Sequence, residues 1–347
     1  MSLGVIVVSP GWVAGEHIRA FHHNPHTHLA AMVVSRESER RRAEQYQKRF
    51  GFECRVTEDY DDALAMEETG IVTVCSINCF HYRHTLAALE AGKHVLVEKP
   101  MALKPEEVTH LCNAARRAEV ATMVGHVVRY YPAIKALHKL VAGGQLGEVF
   151  HVECDYWHEI APGWKSEAET AGGALAQGGI HAVDLLRHMM GENKKVTRVS
   201  AAWSGPFRRK DFTYKPNVSA LVGFEDGSIG RVGTSLEVEM PYVFHLQVNG
   251  TRGTLRENSV YAPELFPAEK RFVEMQAQYP DDWDVAGHPF AEEVDDFVES
   301  VRSGTPNSLD FRHASATYEL VFAIERAAGE NSTVTLGRNK GDFCLPY

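Results

Sequence analysis

Over the first 125 residues, short apolar runs alternate with amphipathic stretches, and no other feature narrows the possible folds as much. "LGVIVVS", "HLAAMVVS", "GIVTVCSI", "HVLVEKP" and "VATMVGH" each read as a strand covered on both faces. Between them, "GWVAGEHIRAFHH", "ESERRRAEQYQKRFG", "DYDDALAME", "YRHTLAALEAG" and "KPEEVTHLCNAARRAE" have helical spacing. Gly51 and Gly92 stop two of these helices, and Pro105 sits in the first turn of the last. Parallel strands cannot be joined by a tight turn, so this alternation implies a doubly wound parallel sheet with crossover helices. Such sheets bind ligands beyond the carboxyl ends of their strands, where the strand order reverses.

After residue 126 the pattern changes. "YYPAIKALHKLVAGGQLG" is a helix ending in glycines, and "EVFHVECDYWHE" alternates like a half-buried antiparallel strand. "VTRVSAAWSG", "VSALVGFEDGSIGRVGTSLEV" and "VFHLQVNGTRGTLREN" add further strands, with Asp226-Gly227 and Asn249-Gly250 marking tight hairpins. Two amphipathic helices, about 288–303 and 311–328, close the chain. A chain of 347 residues exceeds what one core usually organises. The expected division is 1–125, an α/β Rossmann-type domain, and 126–347, an α+β domain with a large, mostly antiparallel sheet. A broad sheet with few helices to cover it leaves one face open, so a homodimer or homotetramer through that sheet is expected.

Lys plus Arg number 36 against 46 Asp plus Glu, a net charge of −10, and no basic stripe offsets it. Nucleic acid and anionic membranes are therefore poor partners. No run approaches the ~20 apolar residues of a membrane span, and the short apolar stretch at the start reads as a strand rather than a targeting signal. Cys54, Cys75, Cys79, Cys112, Cys154 and Cys344 form no C-x-x-C pair, which suits reduced thiols in a cytoplasmic protein. The "FHHNPHTH" histidines lack ligand spacing and read as a solvated turn, so no metal is expected.

The loop "VVSPGWVAGEH" stands where a G-x-G-x-x-G dinucleotide fingerprint belongs, with Ser9, Gly11 and Ala14 at its three positions. Gly11 permits close backbone approach to a pyrophosphate, and amides from Trp12 and Val13 onward, at a helix N-terminus, would hold it. At the end of the second strand Ser35-Arg36 replaces the acidic residue that favours NAD. A hydroxyl and a guanidinium suit a ribose 2′-phosphate, so NADP is preferred, while Glu37 leaves NAD open.

Lys99 lies between Glu98 and Pro100 at the carboxyl edge of a strand, because the residue before a proline is pushed toward extended geometry. Partly desolvated beside a cationic nicotinamide, a lysine becomes able to take a proton from a hydroxyl as its carbon loses hydride. A surface ion pair with Glu98 is the competing account. A second group falls in "AGGALAQGGIHAVDLLRHM". There a helix begins near His181, Asp184 shares its face, and Gln177 offers an amide that cannot act as a base.

Taken in order, "SPGWVAGEH", "AGKHVLVEKP", "GHVVRYYPAIKAL" and "GGALAQGGIHAVDLL" resemble the glucose–fructose oxidoreductase/inositol dehydrogenase/MocA family, and the resemblance extends to "PFAEEVDDFVESVRSGTPNSLDFRHASATYELVFAIERA". It implies a Rossmann domain, an open-faced sheet domain and an NAD(P)-dependent dehydrogenase or reductase acting on a carbinol of a sugar, cyclitol or related polyol. On that resemblance Lys99 matches the catalytic lysine and His181 the active-site histidine, and Ser76, Asn78, His81 and Glu98 fall among cofactor-contacting positions. Ile77 departs from the family's usual proline. Gln177 departs from its usual aspartate, so proton relay would run through His181 or water.

Arg129, Tyr156, Trp164, His181 and Asp184 are the candidate substrate contacts, with Tyr156 equally readable as a core residue of an alternating strand. Two alternatives stay open on the same fold: a non-catalytic dinucleotide- or sugar-binding regulator, and a glycosidase that uses bound NAD for transient oxidation.

Overall fold

The computed structural model describes residues 2–280 and 287–337, so Cys344 lies outside the described residues. The chain divides into two compact units, Met1–Val127 with Pro289–Ser315, and Val128–His288 with Ala316–Tyr347.

The first unit runs β1 (Leu3–Val8), α1 (Trp12–His23), β2 (Thr27–Val33), α2 (Glu37–Phe50), β3 (Arg55–Thr57), α3 (Tyr60–Leu64), β4 (Thr69–Val74), α4 (His81–Glu90), β5 (His94–Glu98), α5 (Pro105–Ala118) and β6 (Thr122–Gly125). Its strands are all parallel in the order β3-β2-β1-β4-β5-β6. Val5–Val7 of β1 and Val95–Val97 of β5 are fully buried, as continuous apolar runs must be when both sheet faces are covered. The order reverses between β1 and β4. The carboxyl ends of these strands, with β5 next to β4, therefore border the place where such sheets take ligands.

In the second unit, α6 (Pro132–Ala142) leads into β7 (Val149–Trp157), the short α7 (Ala168–Ala171) and α8 (Ile180–Met190). The strands β8 (Val196–Ser204), β9 (Asn217–Phe224), β10 (Ile229–Ser235), β11 (Val243–Gly250), β12 (Thr254–Arg256), β13 (Ser259–Tyr261) and β14 (Val273–Glu274) follow. The chain continues through α9 (Phe290–Ser303), α10 (Phe311–Glu330) and β15 (Val334–Thr335). The sheet order is β14-β13-β12-β11-β7-β10-β9-β8-β15, antiparallel except where β10 runs parallel to β7. Val152, Cys154 and Tyr156 of β7 face the helical layer and are buried. His151 and Glu153 alternate onto the opposite, open face, where Leu221 and Ile229 are exposed and Arg231 pairs with Glu153 and Asp155.

Three expectations are corrected here. A single division after residue 125 misses that Pro289–Ser315 packs with the first unit. α9 lies against α1 and buries Phe290, Val294, Phe297 and Val298, while the Val124 amide donates to the Leu309 carbonyl. The hairpin tip between β11 and β12 is Thr251-Arg252 rather than Asn249-Gly250, because the Gly250 amide bonds the Gly253 carbonyl. Gly250 is needed for approach, since a Cβ there would fall 2.2 Å from the Leu146 carbonyl oxygen. Helical backbone also begins before His181, as a wide π turn over Leu175–Gly179 that runs into α8.

Candidate active site

The nucleotide loop is built on β1 and α1. Ser9 takes a left-handed backbone (φ 63°), and its carbonyl accepts from the Gly11 amide, folding the chain sharply before the helix. Gly11 is the N-cap of α1 and offers no side-chain cap, so the first-turn amides, with Trp12 and Val13 at their head, are left for a ligand. A Cβ on Gly11 would touch only the carbonyl oxygens of Ser9 and Cys75, at 3.8 and 4.0 Å. The protein's own packing thus does not require glycine there, whereas an approaching pyrophosphate would. Gly15, which sequence reasoning passed over, is needed by the protein: a Cβ would fall 2.6 Å from the Tyr46 hydroxyl of α2, which itself donates to the Gly11 carbonyl at 2.9 Å.

A second residue missed from sequence joins the ends of β1 and β2. Glu39 on α2 is buried, accepts from the Ser9 hydroxyl at 2.7 Å, and accepts from both the amide and hydroxyl of Ser35 at 2.8 and 3.1 Å. Arg36 Nε lies 3.5 Å from the same carboxylate. One acid therefore ties the end of β1 to the end of β2 and engages the groups that sequence offered to a 2′-phosphate.

Beyond β4 and β5 the backbone is pinned by a histidine. His81, fully buried at the start of α4, bonds the Ser76 carbonyl through Nε2 at 2.7 Å and the Pro100 carbonyl through Nδ1 at 2.6 Å. Burial lowers its proton affinity, against the two carbonyls and Glu98, which raise it. Glu98 points inward: Oε1 lies 3.0 Å from His17 Nε2, and Oε2 accepts from the Lys99 amide at 3.2 Å. Burial pushes the Glu98 carboxyl up, but the His17 bond and the Lys99 charge outweigh it and hold the group below its usual range. Asn78 is buried in the short 3-10 turn Asn78–Phe80 that precedes α4. Lys99 itself stands at the carboxyl end of β5 with both backbone neighbours fixed.

In the second unit, His181 and Gln177 are buried on successive turns of the helix that starts at Leu175. Gly178 and Gly179 let that helix sit down on the sheet; a Cβ on Gly178 would fall 2.6 Å from the Tyr156 ring, and one on Gly179 would fall 2.9 Å from Thr234. The His181 ring consequently lies 6.0 Å from that of Tyr156, which also meets His158, Tyr242 and Phe244. Tyr156 is therefore part of an aromatic cluster, and burial raises its hydroxyl pKa. Trp164 begins a 3-10 turn, with the Lys165 ammonium 5.8 Å from its ring.

Arg129 and Asp184 engage each other. Nε and Nη2 of Arg129 donate to the two Asp184 oxygens at 2.6 and 2.7 Å, and Thr317 donates to Oδ1 at 3.1 Å. Arg129 also contacts Glu192. Burial works against the Glu192 charge, but the His188 bond and Arg129 bring its pKa down to about 2. His138, stacked on His188 at 3.6 Å, is lowered to about 4 by burial and by the neighbouring His188 and Arg129.

Among the described residues no cluster of three or more His, Cys, Asp or Glu side chains could hold a metal, and no helix is long and apolar enough to cross a membrane. Cys54, Cys75, Cys79, Cys112 and Cys154 are free thiols.

Residues 3–126 match the model of an oxidoreductase family with an NAD-binding Rossmann fold, and residues 134–256 match the GFO/IDH/MocA C-terminal domain. The chain belongs to the Gfo/Idh/MocA family. It is similar to the D-glucoside 3-dehydrogenase of Escherichia coli K12, 28% identical over 254 residues that cover 69% of this chain and 71% of that one. It is also similar to the scyllo-inositol 2-dehydrogenase (NADP(+)) of Bacillus subtilis 168, 32% identical over 41% of this chain and 43% of that one. Among solved structures, GenD2 from gentamicin A biosynthesis, in complex with NAD, superposes with a TM-score of 0.83 at 27% identity, covering 97% of each chain. This Gfo/Idh/MocA chain is thus an oxidoreductase whose first unit has the NAD-binding Rossmann fold and whose second carries the family's mostly antiparallel sheet.

Proposed function

We propose that this protein transfers hydride between NAD and a carbinol carbon of a sugar, cyclitol or related polyol, with Lys99 as the acid/base. The observation that carries the reading is Lys99 at the carboxyl end of β5, one strand from the β1/β4 reversal, with its amide held by Glu98 and the next carbonyl held by His81. Ser9 shapes the loop in which Gly11, Trp12 and Val13 hold the pyrophosphate; Ser76, Asn78 and the His81-braced turn face the nicotinamide end. When bound, the dinucleotide supplies the hydride acceptor or donor. In oxidation Lys99 Nζ takes the hydroxyl proton of the substrate, and in reduction it returns one. His181 hydrogen-bonds a substrate hydroxyl. Gln177 orients substrate by its amide and moves no proton. Trp164 offers a ring face to the sugar. Tyr156, packed among aromatic rings, supports His181. The Arg129–Asp184 pair braces α8 from below and is not a substrate ligand.

NAD is proposed over NADP, since Glu39 engages Ser35 and Arg36 and adds negative charge where a 2′-phosphate would sit. The protein is proposed to be cytoplasmic, with the open sheet face, bearing Leu221 and Ile229, covered by the same face of a second copy. The similar D-glucoside and scyllo-inositol dehydrogenases define the panel that tests the chemistry. Protein supplied with NAD or NADP, and offered D-glucosides, scyllo-inositol and related cyclitols, should give NADH or NADPH absorbance with at least one of them. A second reading, a regulator that binds dinucleotide without reacting, is favoured by Gln177 in place of a proton-relaying carboxylate. It expects cofactor binding with no absorbance change on any substrate, in either direction.

A further inference from the structure

Under the strand that carries Lys99 lies a buried group of ionisable side chains that the reaction as described does not use. His17, fully buried on α1, joins Thr73 Oγ1 of β4 through Nδ1 at 2.9 Å and Glu98 Oε1 through Nε2 at 3.0 Å. Phe290 of α9 closes over its ring at 5.4 Å. Glu98 fills the space left by Gly125 of β6, where a Cβ would come within 3.3 Å of the carboxyl group. Its other oxygen accepts from the Lys99 amide. Beside it, Glu293 of α9 is fully buried, and neither of its oxygens has a hydrogen-bond partner among the described residues.

Of these two buried carboxyls, the one with bonded partners takes the charge. Burial first, and then the charge of Glu98, keep the proton on Glu293. Burial likewise keeps Cys75, just past β4, in the thiol form. The groups facing Glu98 are thus His17 from α1, Cys75 after β4, His81 from α4, Glu293 from α9 and Lys99 itself, and among these acids only Glu98 carries negative charge.

We infer that the Glu98 carboxylate, hydrogen-bonded by His17, is a fixed buried charge that positions Lys99 and sets its affinity for a proton. His17 is a positioning residue acting through Glu98, and it ties the helix behind the pyrophosphate loop to the strand end that bears the lysine. This rests on the acid/base role given to Lys99 only for its consequence in turnover; the proton affinity of Lys99 can be measured without a substrate.

Competitive acetylation with trace acetic anhydride, read by mass spectrometry against pH in the full chain with NADH present, gives the midpoint at which Lys99 loses its proton. Removing a nearby negative charge disfavours the ammonium, so Glu98→Gln should lower the midpoint by about one unit or more. His17→Leu should lower it similarly, because a buried Glu98 without its partner takes up a proton. His17→Gln retains a donor toward Glu98 and should hold the midpoint within about 0.3 of the parent. The double variant H17L/E98Q should move no further than E98Q alone, since both changes remove the same charge. A merely structural role would lower thermal stability and leave the midpoint in place. An unchanged midpoint in E98Q, or additive shifts in the double variant, overturns the inference. Survival of turnover in Lys99→Met would instead remove the acid/base reading and leave the acetylation result standing.

Discussion

Replacing Asp184 with asparagine keeps the shape of the side chain and deletes its charge, which separates a bracing role from a substrate-binding one. In the native unit both Asp184 oxygens accept from Arg129, at 2.6 and 2.7 Å, and Arg129 is 7% exposed. Breaking a buried pair by removing one partner costs about 3–5 kcal/mol, because the remaining charge stays desolvated. Glu192 still contacts Arg129, and asparagine retains one acceptor, so the lower end, about 3 kcal/mol, is expected. For a unit of this size that corresponds to a fall in melting temperature of roughly 6–12 °C. Trp157, Trp164 and Trp203 lie in the second unit and Trp12 in the first, so tryptophan fluorescence during thermal and urea unfolding, followed in a Trp12→Phe background, reports on the second. KM for whichever polyol the enzyme takes should change less than about threefold at a temperature where the variant is folded. An unaltered melting transition with KM raised tenfold or more would refute the bracing argument and return Asp184 to the substrate site.

Three further outcomes are expected. Glu293→Gln should stabilise the first unit at pH 8 by about 1–3 kcal/mol. The folded carboxyl keeps a proton that the unfolded chain releases above its usual carboxylate range, so the native protein loses stability as pH rises through that range, and the advantage of E293Q should vanish near pH 4 in urea titrations. Glu39→Gln should improve NADP binding relative to NAD by tenfold or so in fluorescence titrations; equal effects on both cofactors would show that Glu39 only holds the loop together. Gly178→Ala would drive a methyl into the Tyr156 ring and Leu236, and should cost about 1–3 kcal/mol in thermal unfolding while raising KM by displacing His181.

The features legible in the sequence are those written in local periodicity. Continuous apolar runs at β1, β4 and β5 specify strands buried on both faces, and their alternation with helices specifies the parallel sheet. The proline after Lys99 marks the strand end without any tertiary information. What escaped depends on pairs far apart in the chain. Nothing around Glu39 announces that it will hold Ser9, thirty positions earlier, and the Glu98 partner of His17 is 81 residues away. A signal for His17 did exist: it falls on the apolar face of α1 with Ala14, Ile18 and Phe21, where a histidine needs a polar partner. The amphipathic pattern of α9 said that it covers something, but not which unit. The two glycines at 178 and 179 permit close approach by residue type alone, but their helix-on-sheet packing depends on Tyr156 and Thr234 lying beneath them, which no local pattern shows.

Lys99→Met gives the most direct test of the central claim, measured for NAD affinity by fluorescence titration and for polyol-dependent NADH formation at 340 nm on the same preparation. The variant should bind NAD within about threefold of the parent, because the loop proposed to hold the pyrophosphate is built on β1 and α1, and should lose at least a thousandfold in kcat. Turnover within tenfold of the parent at intact NAD affinity would contradict the assignment of this lysine as the acid/base.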